Sequence, residues 1–272
     1  MKNNTFEWNR FCKVVYKDFR NLWPAFGTTM LIITLLPLAL WLLVLVTDPH
    51  RTVNFEPSIR LSIVVILPAL ASIMTPSRLY RTVNLRGEGI HFAMLPASKL
   101  EKFLSILLYT LIVCPLLVLV AGVVLDMLLY LLPFGSYRES IFSCEFAGWF
   151  DYVIGDLTGG AITMLLIASV FSHIATALLF LFTATIFRRH KVLQTFLWLW
   201  LISFVLSLVL MPLAIHFVSS GDIQHWVEYI VDNNIDETAF TTWYSAIIMV
   251  VSIVLAVLFG WLSWNRIKKM PY

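Results

Sequence analysis

Within the long apolar stretches of this chain, three titratable side chains could do chemistry: Asp126, His173 and His216. Asp126 lies 23 residues beyond Phe103, about 35 Å along a helix at 1.5 Å per residue, past a hydrocarbon core of about 30 Å. That places its carboxylate at an interface, and His216 lies equally far from Val192. Only His173 falls in mid-stretch. It shares a helical face with Ser169, Ser172 and Thr176 at i, i+3, i+4 and i+7, a pattern that either glues helices together or lines a pathway for protons or substrate. An intramembrane enzyme would complete this face with outer-loop acids such as Asp151 or Asp156. No His-Glu-x-x-His zinc motif, Gly-x-Ser-x-Gly elbow, paired-acid motif or P-loop is present, so no metal or nucleotide site of the chain's own is expected. Ion-driven pumps usually carry several intramembrane charges. With a nearly neutral interior, energy for any uphill movement would enter from a partner.

The elements that must position these residues follow from composition. Of 272 residues 60% are hydrophobic and 13% charged, with a mean hydropathy of +0.85. A soluble domain is about half apolar and roughly a quarter charged. The expected class is therefore all-α: a polytopic membrane protein, without room for a soluble catalytic domain. Charge-free stretches number six, giving spans at about 24–47, 59–80, 103–132, 158–187, 192–217 and 239–264. The second reaches spanning length if Arg60 and Arg78 snorkel to the two interfaces. Sixteen of the 19 basic residues fall on one side of these spans, and eleven of the 16 acids fall in the loops opposite. The positive-inside rule puts both termini in the cytoplasm, with 266–272 a basic tail. Cys12, Cys114 and Cys144 are too few and scattered for a disulfide framework.

Three segments outside the spans carry information. In residues 1–23 the apolar Phe11, Val15, Phe19 and Leu22 recur at helical spacing, beside Trp8 and Val14, with Arg10, Lys13, Lys17 and Arg20 on other faces. This predicts a basic amphipathic helix in the membrane interface, broken by Pro24, either a simple anchor or a contact element. Between spans two and three, Ile90, Phe92, Met94 and Leu95 put apolar side chains in a loop facing water. Ser98-x-x-Glu101 then predicts a capping box that starts a helix at Lys99. Apolar exposure beside a rigid cap suggests protein docking or rest on the membrane. In the outer loop 219–237, Ile223, Trp226, Val227, Ile230 and Val231 predict a short amphipathic helix. The aromatic, acidic outer loop 134–156 gives no such pattern.

An amphipathic pre-helix, six spans, inside termini, a capped loop (Gly87-Glu-Gly-Ile-His-Phe-Ala-Met-Leu-Pro-Ala-Ser-Lys-Leu-Glu-Lys) and a basic turn at Arg188–Lys191 follow in order. A small outer helix precedes the last span. This order resembles the membrane permease subunit of ATP-binding-cassette (ABC) transporters of the type-2 exporter family, and the run Leu95–Phe103 is similar to loops of its bacterial members. The resemblance implies a bacterial inner-membrane exporter subunit working as a homodimer or heterodimer, with ATP and Mg bound by a separate ABC ATPase. It places ATPase coupling on residues 86–101, with Arg86, Glu88, His91, Phe92, Leu95, Ser98, Lys99 and Glu101 as candidates, and on Arg188 and Arg189. It carries over no catalytic residue and no nucleic-acid partner. A non-transporting scaffold or sensor subunit is the further alternative.

Overall fold

The computed structural model describes residues 6–47, 57–80, 94–132, 140–143, 159–187, 190–219 and 237–269. Among these the chain is helical throughout, apart from short turns. Six helical stretches are long and apolar enough to cross a membrane: Trp8–Thr47, Ile59–Leu79, Lys99–Tyr130, Thr163–Ile186, Lys191–Val209 and Thr241–Lys269. They equal the expected spans in number, and the first also takes in the segment expected as a separate interfacial helix.

The first stretch is built from α1 (Trp8–Leu22), a π-turn (Trp23–Gly27), α2 (Thr28–Thr34) and α3 (Leu36–Thr47). Here the structure differs from expectation, because Pro24 does not break the chain. Leu22, Trp23, Gly27 and Thr28 all keep right-handed helical backbone angles. A π-turn spaces its carbonyls one residue wider, which accommodates a ring that lacks an N–H. A second π-turn (Tyr109–Val113) joins α5 (Lys99–Leu108) to α6 (Cys114–Tyr130), whose second residue is Pro115.

The second span, α4 (Pro57–Leu79), runs on through Pro68 and Pro76. The hydroxyls of Ser72 and Thr75 donate back to the Pro68 and Ala71 carbonyls at 3.0 and 2.6 Å, so these polar groups are satisfied inside the helix. The remaining spans are α7 (Gly159–Ile186), α8 (Lys191–Ser219) and α9 (Glu237–Lys269).

Packing is uneven. α4 lies against α6 and α7, and α9 runs along α7. One core cluster joins Phe26, Leu67, Ala71, Tyr109, Cys114 and Val118; another joins Tyr80, Ile106, Leu178, Leu181 and Ile267. α6 and α4 approach closely at Gly122, where an added Cβ would lie 2.7 Å from Leu67 Cδ1. Small residues permit such approach between apolar helices, where van der Waals contact rather than water expulsion drives association. α8 is peripheral: its residues 201–209 are all exposed.

Two outer elements of the sequence reading fall outside the described residues. They are the outer helix at 222–232 and nearly all of loop 134–156, including Asp151 and Asp156.

Candidate functional site

The described part of the capped loop ends in a junction of three helices. Met94 is exposed and Leu95 half-buried, after which α5 starts at Lys99. The capping box forms: Ser98 Oγ accepts the Glu101 N–H at 3.2 Å, and Glu101 Oε2 accepts the Ser98 N–H at 2.8 Å. Glu101 does more than the motif requires. Its Oε1 accepts the backbone N–H of Glu7 at 2.8 Å, and Glu7 is the residue that opens α1. One fully buried carboxylate therefore sits between the N-termini of two helices, where both dipoles favour negative charge. Arg10 adds an Nη2 contact to Oε1 at 3.3 Å, while its Nε pairs with Glu7 Oε2 at 3.1 Å.

The seam continues along the same helix. One helical turn on, Ser105 Oγ donates to Asp18 Oδ2 at 2.7 Å, and Tyr80 OH donates to the same oxygen at 3.2 Å. A further turn on, Tyr109 OH donates to the Val15 carbonyl at 2.7 Å. Glu101, Ser105 and Tyr109 thus form an i, i+4, i+8 stripe that holds α1 against the third span. Buried polar groups with satisfied partners fix one arrangement more tightly than apolar packing alone. Lys99 closes the junction on its other side, donating from Nζ to the Lys268 carbonyl at 2.6 Å near the end of α9. The first helix and the last helix therefore meet at the same turn of α5.

Seen from α1, the single apolar stripe read in the sequence splits into two. Val14 and Leu22 are buried toward the protein with Asp18 between them, and Phe11 and Val15 are half-buried. Trp8 and Phe19 point outward instead. The sequence reading missed Asp18 as a site residue. The signal was an acid at position 18 in the i, i+4, i+8 row Val14-Asp18-Leu22.

At the other end of the bundle, Arg60 is corrected most. It does not snorkel to an interface. Its Nε donates to Asp126 Oδ1 at 3.1 Å and its Nη2 to Oδ2, and both side chains are 1% exposed. Asp126 is likewise no free interfacial carboxylate, and the interior holds a bidentate ion pair between α4 and α6. Arg78, at the opposite end of α4, is exposed as expected.

The His173 face is only partly brought into use. His173 Nε2 lies 3.0 Å from Ser72 Oγ on α4. Because the Ser72 hydroxyl proton is directed to the Pro68 carbonyl, its oxygen is left to accept, which assigns the donor role to Nε2. Ser169 and Thr176 are exposed and bond to carbonyls of their own helix, Leu166 O and Ser172 O. The face supplies one helix–helix bond and no second titratable group among the described residues.

Of the other candidates, Arg86, Glu88, His91, Phe92, Arg188 and Arg189 lie outside the described residues. In the described part of the basic turn, His190 adopts a positive φ of 47° just before α8, and Lys191, the first residue of α8, is buried. No protein family, curated protein or solved structure matches the chain.

Proposed function

We propose that this chain is the membrane subunit of an ATP-driven exporter of the type-2 permease kind, in a bacterial inner membrane with both termini cytoplasmic. A separate ABC ATPase, which would carry ATP and Mg, docks on residues 86–101, and two membrane subunits, identical or sister chains, form the pathway. The observation that supports this reading best is the Glu101 junction. The exposed Met94 and half-buried Leu95 lead directly into a capped helix start that is bonded to the first helix and to the last.

Such a junction moves as one piece. A displacement applied at Met94 and Leu95 reaches the third span through the capped start of α5, α1 through the Glu7 and Arg10 bonds, and α9 through Lys99. Discrete rearrangement of packed helices, rather than gradual bending, is how small displacements at an effector site become large ones. The apolar interior suits an amphiphilic or peptide-like cargo better than a small ion.

The test is affinity purification in mild detergent from the native host, with wild type and Leu95→Asp compared by mass spectrometry. A soluble P-loop ATPase in stoichiometric amount is expected with wild type and lost with the variant, which should still insert. Wild type recovered without an ATPase would overturn the reading. The intramembrane-enzyme alternative has less behind it, because His173 is engaged with Ser72.

A further inference from the structure

The outward side of α1 is too well organised to be a leftover. Trp8, Cys12, Tyr16, Phe19 and Trp23 fall within an arc of about 80° at 3.6 residues per turn. The four rings are 65%, 70%, 58% and 67% exposed in the order Trp8, Tyr16, Phe19 and Trp23, and Cys12 in their midst is exposed. Next to this stripe, on the side away from α5, follow Arg20 and then Lys13, both exposed, while Lys17 is half-buried further round, near Asp18 and Lys102. The nearby acids leave Lys13 and Arg20 uncancelled: Asp18 is buried, bonded to Ser105 and Tyr80 and close to Lys17, and Glu7 pairs with Arg10 at the helix start.

Chain continuity says what lies beside the stripe. The helical run from Trp8 to Thr47 is 40 residues long, about 60 Å, against a hydrocarbon core of about 30 Å. Its second half is the apolar one, with Leu31, Ile32, Leu42, Leu43 and Val46 exposed on it. Its first half therefore lies at the level where the bilayer ends. Tryptophan and tyrosine prefer that level, because their rings are apolar and their N–H and O–H groups need water.

We infer that α1 is an anionic-lipid binding surface. The aromatic stripe enters the headgroup and upper acyl region, and Lys13 and Arg20 hold the phosphates of acidic phospholipids. The two faces of α1 then do different jobs: one is bonded to α5 through Asp18, and the other reads the charge of the membrane. This requires no ATPase and stands whether or not the transporter reading does.

Cys12 lies in the stripe and allows a direct test. Cys114 is buried, so a Cys144→Ser variant of the full chain leaves Cys12 as the reactive thiol for a polarity-sensitive dye. The labelled protein, in neutral detergent at low salt, is titrated with short-chain phosphatidylglycerol, with phosphatidylcholine of the same chain length, and with glycerol phosphate. A blue shift with phosphatidylglycerol alone is expected. Each basic residue near an acidic lipid surface contributes about fivefold in affinity, so Lys13→Gln with Arg20→Gln should weaken the response roughly 30-fold. An equal response to both lipids would overturn charge recognition. A response to glycerol phosphate alone would mean a soluble-anion site. No response to any would mean that the stripe meets water or another protein, and either result would sink the proposal.

Discussion

Arg60 and Asp126 set the largest energetic stake of any single pair described. Each charge is fully buried, and each is tolerated because the bidentate fork satisfies the carboxylate on both oxygens. Removing one partner leaves the other uncompensated, which costs about 3–5 kcal/mol in buried pairs, whereas removing both charges can be close to neutral. Asp126→Asn is thus expected to lower the thermal midpoint of the detergent-purified protein sharply. The double variant Asp126→Asn with Arg60→Gln should recover most of that loss. Equal losses in the single and double variants would show that side-chain volume, not charge, matters there. In one dimension these residues read as charges near span ends, and only the antiparallel packing of α4 and α6 makes the two ends one place. Asp18 was equally hard to see, because its partners Ser105 and Tyr80 lie 87 and 62 residues away.

Among the elements, the six apolar spans and the start of α5 at a Ser-x-x-Glu box were legible because length and capping chemistry are local properties. The course of the chain through Pro24 was not. Proline removes one hydrogen bond, but whether a helix stops or widens depends on what packs beside it. Here Phe26 and Gly27 are buried, and Phe26 joins the same core cluster as Leu67 and Tyr109. Helix contacts also rest on absent side chains. At Gly122 the neighbour in the way, Leu67, is itself fully buried and has little room to turn aside. Gly122→Ala should destabilise by about 1–3 kcal/mol, the usual range for overpacking a filled core. A detergent melting curve for this variant indistinguishable from wild type would mean that α4 and α6 are further apart than described.

For the whole molecule, the polar seam brings the beginning and the end of the chain to one turn of α5, through Glu7 to Glu101 and Lys99 to the Lys268 carbonyl. In a Cys12→Ser, Cys144→Ser background, single thiols introduced as Lys13→Cys and as Lys269→Cys should therefore react with a membrane-impermeant maleimide from the same side of sealed vesicles. If the positive-inside reading is right, that side is the cytoplasmic one. Reaction from opposite sides would refute the six-span arrangement, and reaction of both from outside would invert it. The function itself was the least legible layer. The residues expected to meet a partner owe their meaning to that partner's surface, which the chain does not encode.

The Arg60–Asp126 pair also has a consequence for how the protein is made. Its two members are separated by 66 residues, and a ribosome adds about 5–20 residues per second, so the arginine emerges about 3–13 s before its counter-charge. Glu7 waits longer still for Glu101, 94 residues downstream. Over that interval the second span carries an unneutralised guanidinium that lipid would reject. Arg60 lies only three residues from the start of α4, so its side chain can reach water while it waits, and the ion pair closes only when the third span packs against the second.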